Sequence, residues 1–531
     1  MASVPAPAKT AQQPTPESRS VVLREAANEF VFAVVGHVGS GTSEIANALK
    51  GLLEADSLAK GKFDTTILKA RYVIADWARE KGESLPTTGR NDLTTVTVFQ
   101  DLGDKMRHTT GDNAAVAKSL ALTIRDVRAK KMGIENPGTE PVRPDGNKRA
   151  YILDSIRHPA EIDLLRHVYQ DAFVLIGVVC EEKRRLARLV KKYKNAGEED
   201  AKVFMKRDAK AVEKHGQRVS DAFHLADFFV DNTVERILES GEPNPEWNIN
   251  EELSRLIKIV TASEVVRPTI SETAMHHAYG AGMRSACMSR QVGAALIDAK
   301  GNVVATGTNE APKAGGGVYG EGFEHGAEDH RCVYRAIGRY CSNTVEQNAI
   351  VDELIKEIPE LNNLDPIRKN ALKAEIRRGR IGDLLEFSRA IHAEMDAVLS
   401  AGRTGVSTVG TRLFVTTFPC HYCARGIVAA GVDEVQYIEP YPKSRALHLH
   451  ADAITDTSHE WTPPSGKGKK VLFHPFTGVA PRLYQRAFLK DRDLKDPMSG
   501  SHMIGDPDWA TPWHLRRASY VELEAALAKS A

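Results

Sequence analysis

Continuous apolar runs alternate with amphipathic stretches from residue 29 onward. FVFAVVGHVGSG reads as an apolar strand, a glycine-rich turn and a helix from about Ser43. RAYILDSI, AFVLIGVVC and ADFFVDNT are further strand candidates. Their unbroken apolarity suits parallel strands buried on both faces. PAEIDLLRHVYQ has helical spacing, and a long charged stretch, EEKRRLARLVKKYKNAGEEDAKVFMKRDAK, follows AFVLIGVVC. Strands alternating with helices predict a doubly wound α/β domain over 28–245.

SGEPNPEWN, with its Pro, Gly and Asn, marks a boundary, and INEELSRLIKIVTA predicts a linker helix within 246–270. A second domain is expected over 271–531. It begins with the helix SETAMHHAYGAGMRSAC and two strands, QVGAALID and NVVATGT, joined by AKGN. An insertion runs over about 314–385. Then come helix AIHAEMDAVLSAG, strand TRLFVTT, helix HYCARGIVAAG and strand DEVQYIE. No repeat of fixed period is present. Residues 1–27, rich in Ala, Pro, Gln and Ser, lack an apolar h-region and predict a disordered tail without a secretory signal.

Composition changes this picture only by exclusion. A net charge of +1 gives no case for nucleic acid or acidic membranes as partners. No apolar run is long enough to span a bilayer, so no membrane association and a cytoplasmic location are expected. Six cysteines in 531 residues make a disulfide scaffold a poor reading; metal ligands or buried thiols fit better.

The chemistry lies in IHAEMDAVLS and TTFPCHYCARGIVAAG. His392 and Glu394 open one helix; Cys420 and Cys423 open another, with i,i+3 spacing that turns both thiols the same way. Helix N-termini and a bound cation both favour thiolate. One imidazole and two thiolates leave the fourth tetrahedral position of a zinc ion open, as catalytic zinc sites require. Glu394 sits too close to His392 to be the fourth ligand and is the candidate proton carrier. H-x-E followed by P-C-x-x-C matches the zinc deaminase signature completely, which makes a structural zinc knuckle a poor alternative.

SRQVGAALID, TGTNEAP, HAE, FPCHYCARGIVAAGVDEVQY and FHPFTGVAPRLYQRAF together resemble the deoxycytidylate deaminase family over about 272–490, the insertion excepted. The resemblance implies a three-layer α/β/α zinc-dependent domain acting on a deoxycytidine nucleotide. It assigns Arg290 to phosphate and Asn309 to sugar, with Tyr441 and Lys443 as further phosphate candidates. Members often carry paired basic residues before QVGA; here Ser289 precedes Arg290. In the insertion, His325, His330, Cys332 and Cys341 suggest a second metal site, but their spacing is loose. A polar lid with incidental His and Cys is the plainer reading.

GHVGSGTS has the spacing of a P-loop, with Gly36, Gly39, Gly41 and Ser43, but Thr42 stands where lysine belongs. Its backbone can still cradle phosphate, and Ser43 can still touch Mg2+. ILDSIRHPAEIDLLR resembles the second-strand region of nucleoside monophosphate kinases, with Asp154 and Arg157 as polar contacts. Arg184, Arg185 and Arg188 fall where those kinases carry a basic lid. A nucleotide-binding regulator fits better than a working kinase.

A kinase-like P-loop domain fused to such a deaminase resembles the bacterial antiphage dCTP deaminases. That resemblance implies depletion of deoxycytidine nucleotides, a nucleotide effector, a restraining small RNA or protein, and a homo-oligomer. Two rivals are a polynucleotide cytidine deaminase and a nonenzymatic nucleotide sensor with a structural zinc. The first needs a basic groove with exposed aromatics, against which a 6% aromatic content argues. The second has no use for Glu394.

Overall fold

The computed structural model describes residues 27–55, 62–86, 89, 92–193, 196–211, 215–320, 329–334, 338–490, 494–503 and 520–530. The expected tail lies outside these apart from Ala27. Two six-stranded sheets organise a mixed α/β fold.

The first sheet contains β1 (Glu29–Val35), β2 (Asp64–Lys69), β3 (Arg149–Ile156), β4 (Phe173–Val179) and β5 (Phe228–Asp231). Their order is 5-4-1-3-2, all parallel. β1 and β4 are buried along their whole length, as their unbroken apolar runs require. Phe30, Phe32 and Val34 pack on the helix Thr42–Glu54 and on the linker helix Ile249–Thr261. Val31, Ala33 and Val35 face the helices Leu93–Thr110, Ala115–Lys131 and Pro159–Tyr169.

The second sheet contains β6 (Gly293–Ile297), β7 (Val303–Thr308), β8 (Arg412–Thr417), β9 (Glu434–Glu439), β10 (Ile454–Thr455) and β11 (Val471–Pro475). Their order is 10-11-9-8-6-7, with β6 antiparallel to both neighbours and the rest parallel. The helices Ala393–Arg403 and His421–Ala429 pack on one face through Ala397 and Ile427. Met275 and Ala278 of the helix Ile270–Gly282 pack on the other.

The two units are laced together. β12 (Gly478–Val479) joins the first sheet antiparallel to β5. The helix Tyr520–Lys529 packs on Ala115–Lys131 and Pro159–Tyr169. There Arg128 is wholly buried between Glu29 at 2.8 Å and Glu524 at 2.7 Å. Residues 478–479 and 520–529, grouped with 271–531 in the sequence, thus pack on the first sheet's unit.

Candidate active site and metal centre

β8 ends at Thr417 and a short turn delivers Cys420 as N-cap of the helix His421–Ala429. His392 is likewise the N-cap of Ala393–Arg403. Both caps converge. His392 Nδ1 is 3.3 Å from Cys420 Sγ and 3.3 Å from Cys423 Sγ, and the three ligand atoms lie within 4.8 Å of one another. A tetrahedral zinc with bonds of about 2.0 Å to nitrogen and 2.3 Å to sulfur needs roughly 3.5 Å between those atoms. The donor set fits zinc in type and spacing. The three groups share protons: Cys420 is pulled down to about 4, first by the Cys423 thiol and then by His392, while His392 rises to about 9. Such a set sheds protons on binding a cation.

Glu394 is buried, at 3% exposure, in the first turn beside His392. Burial pushes its carboxyl up to about 7, against the pull of His392. Its position depends on a missing side chain. Gly307 of β7 lies so close to this helix that a Cβ there would run into the Ala393 carbonyl oxygen and the Ala397 amide. Next to it the Thr308 N–H donates to Asp396 Oδ2 at 3.0 Å.

A cavity of about 380 Å³ joins His392, Glu394 and Cys420 to Arg290, Asn309, Tyr441 and Lys443. The sequence-predicted substrate contacts therefore share one chamber with two of the metal donors, His392 and Cys420. Asn309 is buried; its Nδ2 donates to the Arg290 carbonyl at 2.8 Å, and its Oδ1 has no partner among the described residues. Arg290 pairs with Glu439 at 2.7 Å and lies over the Tyr441 ring at 5.3 Å. Lys443 pairs with Asp383 at 2.8 Å and donates to the Gly382 carbonyl at 3.0 Å.

The sequence reading made the insertion a polar lid but singled out none of the residues that form the cavity's other wall. Asn343, Gln347 and Arg377 line it from two helices of the insertion, Ser342–Glu357 and Pro366–Arg378. The second of these has no buried residue, so hydropathy could not reveal it. As for the second metal site, His325 lies outside the described residues. Cys332 Sγ lies 3.9 Å from Arg389 and Cys341 Sγ 3.8 Å from Ser289. Among the described residues only His392, Cys420 and Cys423 gather as a metal-ligand group.

The glycine-rich loop lies at the end of β1. Gly39 (φ 84°) and Gly41 (φ 89°) adopt left-handed backbone that favours glycine, and the helix starts at Thr42. Thr42 Oγ1 meets Ser155 Oγ at 3.1 Å. Ser43 Oγ donates to Asp154 Oδ2 at 2.6 Å, and Lys69 Nζ to the same oxygen at 2.7 Å. Asp208, which the sequence did not single out, accepts the Val38 N–H at 2.9 Å; Arg157 bridges it to the Gly36 carbonyl. Arg185 presses its backbone toward Gly39, Arg188 pairs with Glu235, and Arg184 is exposed. His37 in this loop is pushed down to about 3 by burial and then by Arg185 and Arg157, which marks a cationic surround.

The family described as cytidine and deoxycytidylate deaminase zinc-binding region matches residues 268–439. The deoxycytidylate deaminase of enterobacteria phage T4 is 30% identical over 177 residues, covering 33% of this chain and 80% of that one. A probable deoxycytidylate deaminase of Drosophila melanogaster is 44% identical over 68 residues, 12% of this chain and 32% of that one. The solved dCMP deaminase from cyanophage S-TIM5, in complex with dCMP and dUMP, is 19% identical. It covers 40% of this chain and 99% of that one, with a TM-score of 0.22. From the match over four fifths of the T4 enzyme and the family zinc-binding region, the chain belongs to the deoxycytidylate deaminase family.

Proposed function

We propose that the protein hydrolytically deaminates free deoxycytidine nucleotides, dCTP as well as dCMP, to deoxyuridine nucleotides. The observation that carries this reading is the shared chamber: Glu394 and two of the metal donors, His392 and Cys420, line the cavity that holds Arg290, Asn309 and Tyr441, and the third donor, Cys423, lies behind them in the same ligand group. When held by His392, Cys420 and Cys423, zinc supplies a Lewis acid that brings the pKa of a water molecule near neutrality. Asn309 Oδ1, buried and unpartnered among the described residues, accepts a hydrogen bond from the sugar hydroxyl. Arg290 and Tyr441 hold the first phosphate. Glu394 moves a proton to N3 of the cytosine ring and then to the departing C4 amine, which leaves as ammonia. One water is consumed for each ammonia released.

In the same reading the first unit is a P-loop nucleotide-binding domain that regulates rather than phosphorylates. Its support is the strand order 5-4-1-3-2 with the loop after the central β1, and the contact of Ser43 with Asp154 from the neighbouring strand. Those residues suit a nucleotide with Mg2+. Thr42 supplies no charge to follow a transferred phosphoryl group, so labelling of nucleoside monophosphates from γ-labelled ATP is expected to be absent. Depletion of the deoxycytidine pool during phage infection is the biological role that this combination of units fits.

The test is ammonia release from dCMP, dCTP, CTP and single-stranded DNA by the full chain loaded with zinc. Faster turnover of DNA than of either deoxynucleotide refutes the reading in favour of a polynucleotide deaminase. Zinc binding without ammonia release from any of the four leaves a nucleotide sensor.

A further inference from the structure

Three cations line the cavity, and they are not equivalent. Arg290 and Lys443 each face a carboxylate, Glu439 and Asp383. Arg377 faces none among the described residues. Its hydrogen bond, from Nη1 to the Thr344 carbonyl, is long at 3.3 Å and ties it across the two insertion helices. The side chain is half-buried, so its charge is partly withdrawn from water without an opposing charge. A guanidinium offers five N–H donors in a fixed fork that matches phosphate oxygens. Most of that fork is left for a ligand in the chamber.

Position separates its role from that of Arg290. Arg290 precedes β6, is bonded through its carbonyl to Asn309, and stacks on Tyr441, all on the sheet side of the chamber. Arg377 comes from the insertion, which forms the other wall. A nucleotide whose sugar meets Asn309 has its first phosphate beside Arg290. Further phosphates extend away from the sugar and need a cation that is not already neutralised.

We propose that Arg377 is a specificity-determining residue that binds the phosphates beyond the first of a deoxycytidine nucleotide, so that the insertion makes the chamber favour the triphosphate. This rests on the reading of the site as a free-nucleotide deaminase. The substitutions are Arg377→Gln and Arg377→Lys in the full chain with zinc bound. Ammonia release gives kcat and KM for dCTP and for dCMP at one ionic strength. Calorimetry of dCTP on Glu394→Gln protein, with and without Arg377→Gln, gives binding apart from turnover. A lost charge-assisted hydrogen bond corresponds to about a ten- to hundredfold loss of affinity. The expected result is a rise of that size in KM and Kd for dCTP, with dCMP kinetics within about twofold of wild type and partial retention in Arg377→Lys. An equal loss for both nucleotides, an unchanged dCTP-to-dCMP ratio, or a wild type that accepts dCMP and ignores dCTP overturns the assignment of Arg377. A wild type that releases ammonia from neither nucleotide overturns the functional reading itself.

Discussion

Gly307→Ala adds one methyl group at the point where β7 touches the helix that carries Glu394. The obstacles are the Ala393 carbonyl and the Ala397 amide, with the Ala393 carbonyl carbon itself only 3.0 Å away. These are backbone atoms and cannot rotate aside. The interior is close-packed, so the helix must withdraw from the strand, and a shift of about 1 Å is the smallest that relieves the contact. Glu394 follows Ala393 directly, and Asn309 lies two residues beyond Gly307, so the shift acts on both sides of the chamber. Misplacement by about 1 Å costs on the order of 10²-fold in rate. Overpacking costs about 1–3 kcal/mol of stability. The assay is kcat on the preferred nucleotide beside zinc content and a urea unfolding curve. Gly402→Ala is the control: it lies on the same helix, exposed, with nothing within 4 Å of its Cβ position. It should keep full turnover and gain up to about 1 kcal/mol. A Gly307→Ala protein with zinc and more than a third of wild-type kcat refutes the claim that this contact positions Glu394.

Glu394→Gln should keep zinc and fold while losing about 10²–10⁴-fold in turnover; retention of more than a tenth means another group carries the proton. Cys423→Ser should lower the zinc content itself, and a full complement of metal by elemental analysis would remove Cys423 from the ligand set. Arg128→Leu leaves buried Glu524 without a cationic partner and Glu29 with Arg149 alone, so urea unfolding should show a loss of about 3–5 kcal/mol. A loss below about 1 kcal/mol would mean that the buried pair is dispensable.

The motifs of the candidate site were legible because each is local. His392 with Glu394, and Cys420 with Cys423, sit at helix starts, where three residues of sequence already determine direction. The buried strands were legible for the same reason: FVFAVV and FVLIGVV are apolar throughout. β2 was not read, because DTTILK is an edge strand with polar positions and only two buried residues. The helices over 93–131 were not read either. They turn Arg107, Arg125 and Arg128 inward, and hydropathy counts a buried arginine as exposed. Arg128 is tolerated there because Glu29 and Glu524 reach it across 99 and 396 positions, and no window along the chain sees that far. The insertion's role in the chamber was hidden by helices that bury almost nothing of their own. Lys69 and Asp208 at the glycine-rich loop likewise come from distant segments.

The lacing of the first sheet has a consequence for how the protein is made. Tyr520 donates to Glu29 at 2.9 Å across 491 positions. Ribosomes add about 5–20 residues per second, so Glu29 and Arg128 wait roughly half a minute to a minute and a half for their last partners. Throughout that interval a charged cluster destined for the interior stays incompletely paired, and for most of it β5 lacks the antiparallel neighbour at Gly478–Val479. Chains that end between residues 424 and 519 keep the three metal-donor residues and yet leave Arg128 without Glu524. Such truncated products carry the candidate site on a scaffold missing its final clasp.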